Sequence, residues 1–141
     1  MSRTTDDVGF LLAKASAHVN DLLAARFAAA GFPEVRASYG SVLVPLFEHQ
    51  ELRLGELAMA ARLSKQAMTG LVARCEQDGL VERRRDPADG RAFVVRLTRR
   101  GERFRGTAAK VLADLDTDLA RQLGPRDRTA LTRALKGVLE L

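Results

Sequence analysis

Apolar residues recur at intervals of three and four along the N-terminal part of the chain, a spacing that places side chains on one face of a helix. The pattern runs from Val8 to Ala30 and consists of Leu11, Leu12, Ala15, Val19, Leu22, Leu23 and Phe27. Gly31 and Pro33 follow and predict that the helix ends there. A second apolar segment, Tyr39 to His49, predicts another helix, which Pro45 either kinks or enters near its first turns.

Two short helices with a tight connection are predicted next. The first, Leu54 to Ala61, has one apolar face, and Arg62-Leu63 connects it to the second. Ser64 is a suitable N-cap for the second helix, which runs to Asp78 and is followed by Gly79. Two short helices separated by about three residues indicate a helix-turn-helix motif.

A β-hairpin is predicted over residues 81–98. Two arginine-rich, β-prone runs flank a loop formed by Asp86, Pro87, Asp89 and Gly90. Alternation in the second run predicts that Arg96 points away from one buried face, which consists of Phe93, Val95 and Leu97.

The C-terminal part is again helical in pattern. Thr98 suits an N-cap for a helix from about Arg99 to Leu123 with an apolar stripe of Val111, Leu112, Leu115, Leu119 and Leu123. Gly124-Pro125 predicts a break before a last helix, which carries Leu131, Leu135, Val138 and Leu139. The predicted fold class is therefore mainly α (α+β), in the order α-α-α-α-β-β-α-α.

The helix from Lys65 to Asp78 has two contrasting faces. Projection at about 100° per residue places Met68, Leu71, Val72 and Cys75 in one arc, which must face the core. The opposite face is small and polar and consists of Gln66, Gly70, Ala73 and Gln77, with Thr69 beside it and Lys65 and Arg74 on its flanks. Such a face suits a DNA major groove, with Gln66 and Thr69 at base edges and the two cations at phosphates. An ordinary exposed helix face that tolerates a glycine is the alternative.

Positive charge is concentrated in one part of this 141-residue chain, whose net charge is +5. Between Arg83 and Arg105 there are nine arginines against three acidic residues, and such a basic stripe is typical of nucleic-acid binding. Arg83, Arg84 and Arg85 cannot all point one way in a strand, so Arg84 is predicted opposite the other two. At least one of the three is expected in an ion pair or on the surface.

Composition argues against several other classes of protein. Cys75 is the only cysteine, and His18 and His49 are far apart, so we predict no disulfide, no metal and no cofactor. The sequence shows no nucleophile paired with a nearby base, so nothing in it indicates an enzyme. The chain has no apolar run of about 18 residues and no signal peptide, so we expect a cytoplasmic protein without a membrane partner.

Five short motifs follow one another between Tyr39 and Arg105. They are Leu54-x-x-x-Leu57-Ala58, Leu63-Ser64-x-x-x-Met68-Thr69, Asp78-Gly79-Leu80-Val81-Glu82-Arg83, Asp86-Pro87-x-Asp89-x-Arg91 and Leu97-Thr98-x-x-Gly101. In this order and spacing they resemble the MarR family of winged helix-turn-helix regulators. The resemblance implies a single domain over residues 1–141. Within it the DNA-binding module spans 39–98, its wing spans 81–98, and dimerisation helices lie in 1–38 and 99–141.

The resemblance also implies how the chain would bind double-stranded DNA. The helix after Ser64 would enter the major groove, and Arg91 at the wing tip would reach the minor groove with Asp89 helping to orient it. The full set of predicted DNA contacts is Ser64, Lys65, Gln66, Thr69, Arg74, Arg84, Asp89 and Arg91.

The predicted function is a sequence-specific transcriptional regulator, most often a repressor in this family. The resemblance implies a homodimer with intertwined terminal helices, and the apolar surface of those helices independently favours one, since a small winged module cannot cover it. Such a dimer would bind a pseudo-palindrome with half-sites roughly 10 bp apart. A nonspecific or architectural nucleic-acid-binding protein is the alternative.

A response to small phenolic or other aromatic molecules, or to oxidants, is a further implication of the resemblance. The implied effector pocket is lined by His18, Tyr39, Leu43, Phe47 and Phe104, residues that equally suit a hydrophobic core. Redox sensing through Cys75 is another alternative, although a thiol on an apolar helix face favours a structural role.

Overall fold

Residues 4–141 are described by the structure, a computed structural model, and they form helices α1 to α5 and strands β1 to β3. The helices are α1 Val8–Ala29, α2 Gly40–Glu48, α3 Leu54–Ala61, α4 Lys65–Gln77 and α5 Arg99–Val138. The strands are β1 Glu51–Arg53, β2 Val81–Arg85 and β3 Phe93–Leu97, and 3₁₀ turns occupy Thr4–Asp6 and Ala37–Tyr39. Two compact units divide the chain, one ending at Thr107 and the other spanning Ala108–Leu141.

The predicted class, mainly α (α+β) with a winged helix-turn-helix, is confirmed, but the predicted order lacks β1. This strand pairs antiparallel with β3, with Glu51 opposite Arg96 and Arg53 opposite Val94. Its three residues are too few, and too exposed, to show a readable alternation. The second helix also begins one residue later than predicted, because Tyr39 ends a 3₁₀ turn.

The sheet has the order β1-β3-β2, so β3 is its central strand. Val95 is fully buried, as predicted, whereas Phe93 and Leu97 are partly exposed. Val94 on the opposite side is also buried, so the prediction of a single buried face on this strand is wrong. The physical reason is the central position of β3, since residues of β1 and β2 lie directly opposite Val94 on both sides.

The core of the first unit combines α2, α3, α4 and the sheet. Its fully buried side chains include Val42, Leu43, Leu46, Leu57, Met68, Val72, Leu80, Val81 and Val95. A neighbouring aromatic cluster surrounds Phe104 of α5, whose ring centroid lies 4.9 Å from that of Phe27, 5.1 Å from that of Phe32 and 6.2 Å from that of Phe47. The first two pairs are edge-on, a favourable geometry for buried aromatic rings.

Helix α5 breaks at Gly124, as predicted, where φ is 79° and ψ is 162°. Pro125 follows directly and starts the next helical segment. Arg128 Nη2 lies 2.6 Å from Asp116 Oδ2 across this break. In a straight helix these two residues would be roughly 18 Å apart along the axis, so the second unit folds back on itself at Gly124.

Helix α1 buries none of its side chains fully within the single chain. Val8, Phe10 and Leu11 expose large parts of their apolar surface near its start. Among residues 4–141, no helix is both long enough and apolar enough to cross a membrane.

Candidate nucleic-acid interface

Helix α4 begins at a capped end and buries one face. Ser64 Oγ accepts a hydrogen bond from the backbone N–H of Ala67 at 3.0 Å, which confirms the predicted N-cap. All four side chains that were predicted to face inward are buried: Met68, Leu71, Val72 and Cys75. Because this face is anchored in the core, the rotation of α4 about its axis is fixed and the opposite face is turned outward.

The outward face of α4 is exposed along its length. It carries Gln66, Gly70, Ala73 and Gln77, as predicted. A Cβ atom built on Gly70 would meet no other atom within 4 Å, so no packing inside the chain requires a glycine there. A mid-helix glycine costs about 1 kcal/mol relative to alanine. The residue therefore suits close approach of an external partner to the helix backbone.

Thr69 lies beside this face with its hydroxyl group already engaged. Its Oγ1 donates to the backbone carbonyl of Lys65 at 2.7 Å. In this rotamer Thr69 presents a methyl group and an acceptor oxygen to the outside, but not its proton. A base contact from Thr69 would therefore be apolar, as with a thymine methyl group, or would accept a hydrogen bond.

Three of the predicted cationic contacts have no acidic partner. Within residues 4–141, Lys65, Arg74 and Arg91 are exposed and form no ion pair. Arg84 differs, since its Nη2 lies 3.4 Å from Glu82 Oε1 with the arginine side chain 58% exposed. Exposed pairs of this kind contribute little stability, so Arg84 is still available to a phosphate.

The predicted alternation of the three consecutive arginines is confirmed. Arg83 and Arg85 lie on the same side of β2, and their guanidinium carbons are 5.7 and 5.6 Å from the ring centroid of Phe93. Arg83 also lies 3.3 Å from Glu76 of α4, while Arg85 donates to the carbonyl of Gly90 at 2.8 Å. Arg85 therefore stabilises the hairpin itself, and Arg83 also links the hairpin to α4.

Arg91 lies in the loop of the wing, and Asp89 shapes the backbone beneath it. Asp89 Oδ1 accepts a hydrogen bond from the backbone N–H of Arg91 at 3.1 Å. Asp89 was predicted to help orient Arg91, with a purely turn-forming role as the alternative, and the observed contact is with the main chain. The reason is local geometry, since a turn aspartate readily reaches the N–H group two residues further on.

A groove of about 890 Å³ lies between α3 and the wing, with Lys65 at the start of α4 also in its lining. Its lining includes Lys65 of α4, Met59 of α3, and Asp89 and Arg91 of the wing. Of the predicted contacts, Lys65, Asp89 and Arg91 therefore line one concave surface. Two unpaired cations along such a groove suit a phosphodiester strand.

The structure also places a residue here that sequence analysis did not single out. Arg53, at the end of β1, extends its guanidinium group to 2.9 Å from Asp86 at the base of the wing loop. The pairing joins residues far apart in sequence, and the strand that positions Arg53 was itself not predicted.

The five predicted effector residues all lie in the first unit, but they are not equally accessible. Tyr39, Leu43 and Phe104 are buried in the packed core, and Phe47 is partly buried beside Phe104. His18 is exposed on α1. Sequence analysis missed Phe27 and Phe32, whose helical spacing and turn position gave no sign that both pack against Phe104.

Cys75 is fully buried beneath the outward face of α4. Burial, followed by the nearby charge of Asp78, raises the pKa of its thiol to about 12. A thiol in this state is a poor nucleophile, because the reactive form is the thiolate. Nor does any cluster of His, Cys, Asp and Glu within residues 4–141 have the arrangement to hold a metal ion.

Comparison with known proteins places this site in a family. A model described as MarR family matches residues 38–93, which include α3, α4 and the wing up to the start of β3. The HTH-type transcriptional regulator BilQ of Clostridioides difficile (strain CD3) is 24% identical over 99 residues, which make up 70% of this chain and 67% of BilQ.

Two solved structures share the fold over nearly the whole chain. The transcriptional repressor CouR bound to a 23-mer DNA duplex superposes with a TM-score of 0.81 at 22% identity, and the match covers 99% of each chain. The PcaV transcriptional regulator from Streptomyces coelicolor in complex with its natural ligand gives a TM-score of 0.77 at 19% identity, covering 99% of this chain and 96% of PcaV. The fold and the exposed face of α4 define a winged helix-turn-helix protein. Residues 38–93 of this chain, which form most of that winged helix-turn-helix, match the MarR family.

Proposed function

We propose that this chain is a transcriptional repressor that binds a pseudo-palindromic operator as a homodimer and leaves it when a small aromatic or phenolic molecule binds. The observation that carries the proposal is the groove between α3 and the wing, which Lys65 of α4 also lines. There, unpaired Lys65 and unpaired Arg91 line one surface beside the exposed, small and polar face of α4.

In this proposal α4 enters a major groove and Arg91 enters the adjacent minor groove. The sugar-phosphate strand that separates the two DNA grooves would then pass Lys65 and Arg91 along the protein groove between α3 and the wing. Gln66 and Thr69 would meet base edges, and Arg91 would favour a narrow, A·T-rich minor groove. The phosphate contacts would come from Ser64, Lys65, Arg74 and Arg84.

Exposed apolar surface supports the dimer. Besides the start of α1, the second unit exposes Leu112, Leu119, Leu131, Leu135, Val138 and Leu139. Apolar surface of this extent on a single chain marks an interface. A two-fold dimer would present two copies of α4 to half-sites about one DNA turn, roughly 10 bp, apart.

Two of the structural relatives support a repressor role and a small-molecule ligand. The CouR structure is that of a repressor bound to a DNA duplex, and the PcaV structure is that of a regulator in complex with its natural ligand. For this chain we propose an aromatic ligand that contacts His18, Tyr39, Leu43, Phe47 and Phe104. Since Tyr39, Leu43 and Phe104 are buried in the single chain, their packing would have to open to admit it. A regulator of this kind works where the operator DNA is, which we expect to be the cytoplasm.

Selection of bound duplexes from random DNA tests the proposal. We expect a motif of two inverted half-sites, with two chains per duplex in sedimentation equilibrium. Gln66→Ala should relax the preference at one position in each half-site, at a cost of about 1–3 kcal/mol. Gln50→Ala, an exposed glutamine in the turn before β1, is the matched control and should bind as the wild type does. Recovery of no common motif, or binding by single chains, would contradict the proposal.

The redox alternative is tested separately. Because the Cys75 thiol is buried and protonated, mild peroxide should leave DNA binding unchanged. Cys75→Ser is the matched control, and it should respond in the same way. Loss of binding in the wild type alone would establish Cys75 as a sensor.

A further inference from the structure

We propose that Arg53 and Asp86 form a positioning pair that fixes the wing relative to α3 and α4 and so sets where Arg91 enters the minor groove. This inference rests on the proposed function, because it assigns the pair a role in DNA recognition by Arg91.

Asp86 is the one buried charged residue among the described part of the chain, with 8% of its surface exposed. It lies at the start of a loop whose next residues, Pro87 to Arg91, are all exposed. Each oxygen of its carboxylate has a partner: Oδ2 lies 2.9 Å from Arg53 Nη2, and Oδ1 accepts from the backbone N–H of Ala88 at 2.9 Å. A carboxylate in this setting depends on those partners, because a buried charge without them is costly.

Asp86 is linked to Arg91 by a short series of hydrogen bonds within the loop. The backbone N–H of Asp86 donates to the carbonyl of Ala92 at 2.9 Å, and the N–H of Asp89 donates to the carbonyl of Asp86 at 3.2 Å. Asp89 in turn accepts the N–H of Arg91 through its side chain and that of Ala92 through its carbonyl. A displacement of Asp86 would therefore be passed to the backbone of Arg91.

Arg53 is held on the helix-turn-helix side of this connection. As the last residue of β1, it is paired with Val94 of the central strand, and its backbone N–H donates to Glu56 Oε1 at 2.9 Å in the first turn of α3. The residue thus joins β1 to α3. Through its guanidinium group, Arg53 ties that junction to the base of the wing.

A direct contact between Arg53 and a DNA phosphate is the competing role, since its side chain is 52% exposed and lines the groove beside Lys65 and Arg91. The two roles predict opposite effects of Asp86→Asn. If Arg53 positions the wing, weakening the pair from the Asp86 side harms recognition as much as Arg53→Gln does. If Arg53 binds a phosphate, removal of the competing carboxylate frees it, and affinity stays the same or rises.

The test measures affinity for two duplexes that share the selected half-sites but carry A·T-rich or G·C-rich sequence where the wing lies. Arg53→Gln and Asp86→Asn should each reduce the ratio of the two affinities about fivefold, which corresponds to ~1 kcal/mol. Neither should reduce it further in an Arg91→Ala background, because both act through Arg91. Arg96→Gln, which removes an ion pair with Glu82 on the same sheet, is the matched control and should leave the ratio unchanged.

Other outcomes overturn the proposal in distinguishable ways. An equal loss on both duplexes for Arg53→Gln, with a salt slope smaller by about one and no loss for Asp86→Asn, would make Arg53 a phosphate contact instead. An unchanged ratio for Arg91→Ala itself would remove the wing from recognition, so the proposed function would fail at that point. Circular dichroism on each variant confirms that the fold is retained. If Asp86→Asn does not fold, the Arg53→Gln and Arg91→Ala pair decides alone.

Discussion

The phenol of Tyr39 donates a hydrogen bond to Oδ2 of Asp78 at 2.5 Å and so joins the turn before α2 to the C-terminal cap of α4. Tyr39 is 3% exposed, so its side chain is shielded from bulk water. Next to this cap, Thr98 at the start of α5 donates through Oγ1 to the carbonyl of Gly79 at 2.5 Å. Helix α4 carries the predicted base contacts, and its C-terminal end is therefore held by both Tyr39 and Thr98.

Removal of the Tyr39 hydroxyl group should destabilise the fold. We expect Tyr39→Phe to lower the free energy of unfolding by about 1.5–3 kcal/mol, the range for a hydrogen bond to a charged group. Urea denaturation followed by circular dichroism measures the change. In a double-mutant cycle with Asp78→Asn the two losses should overlap, and purely additive losses would show that this bond contributes no stability.

The same bond gives stability a dependence on alkaline pH. Burial, followed by the hydrogen bond to Asp78, raises the pKa of Tyr39 from 10.0 to about 12. Since the pKa is higher in the folded state, this contribution is fully present below about pH 10 and is lost as the pH rises through about 12.

Cys75 titrates in the same window, because its pKa is also raised to about 12, so the measurement must be a difference. We expect the gap in unfolding free energy between the wild type and Tyr39→Phe to shrink between pH 10 and 12. A gap that stays constant over that range would be inconsistent with titration of Tyr39.

Any side chain at Gly101 is predicted to disturb the packing around the start of α5. A Cβ atom at this position would overlap the carbonyl oxygen of Leu80 and lie 3.1 Å from Cδ2 of Leu97. Because the obstacle is backbone, Gly101→Ala should cost about 1–3 kcal/mol in thermal or urea unfolding. Gly106→Ala, in the same helix with open space around it, is the matched control and should be neutral or stabilising by up to about 1 kcal/mol. Equal effects of the two substitutions would refute the close approach.

The parts of the site that could be predicted from sequence are those fixed by local geometry. The burial of Met68, Leu71, Val72 and Cys75 follows from helical spacing alone, and it determines which side of α4 faces outward. The cap at Ser64 and the break at Gly124 are equally local. Each depends on residues within one or two turns of the chain.

The parts that could not be predicted depend on pairing between distant segments. Strand β1 forms by antiparallel pairing with β3, and only that pairing brings Arg53 to Asp86. The burial of Val94 has the same origin. For Asp89 the residue type indicated an orienting role, but spacing alone could not distinguish the N–H group of Arg91 from its guanidinium group.

The central claim, that the face of α4 reads sequence while the surrounding cations bind phosphate, is tested most directly by a salt titration. Affinity is measured for the selected operator and for a scrambled duplex of the same length and composition, between roughly 50 and 200 mM salt. We predict that both affinities fall steeply and in parallel, while their ratio stays at about 10³ or more. A ratio close to one throughout would contradict the account and leave only a nonspecific nucleic-acid-binding protein.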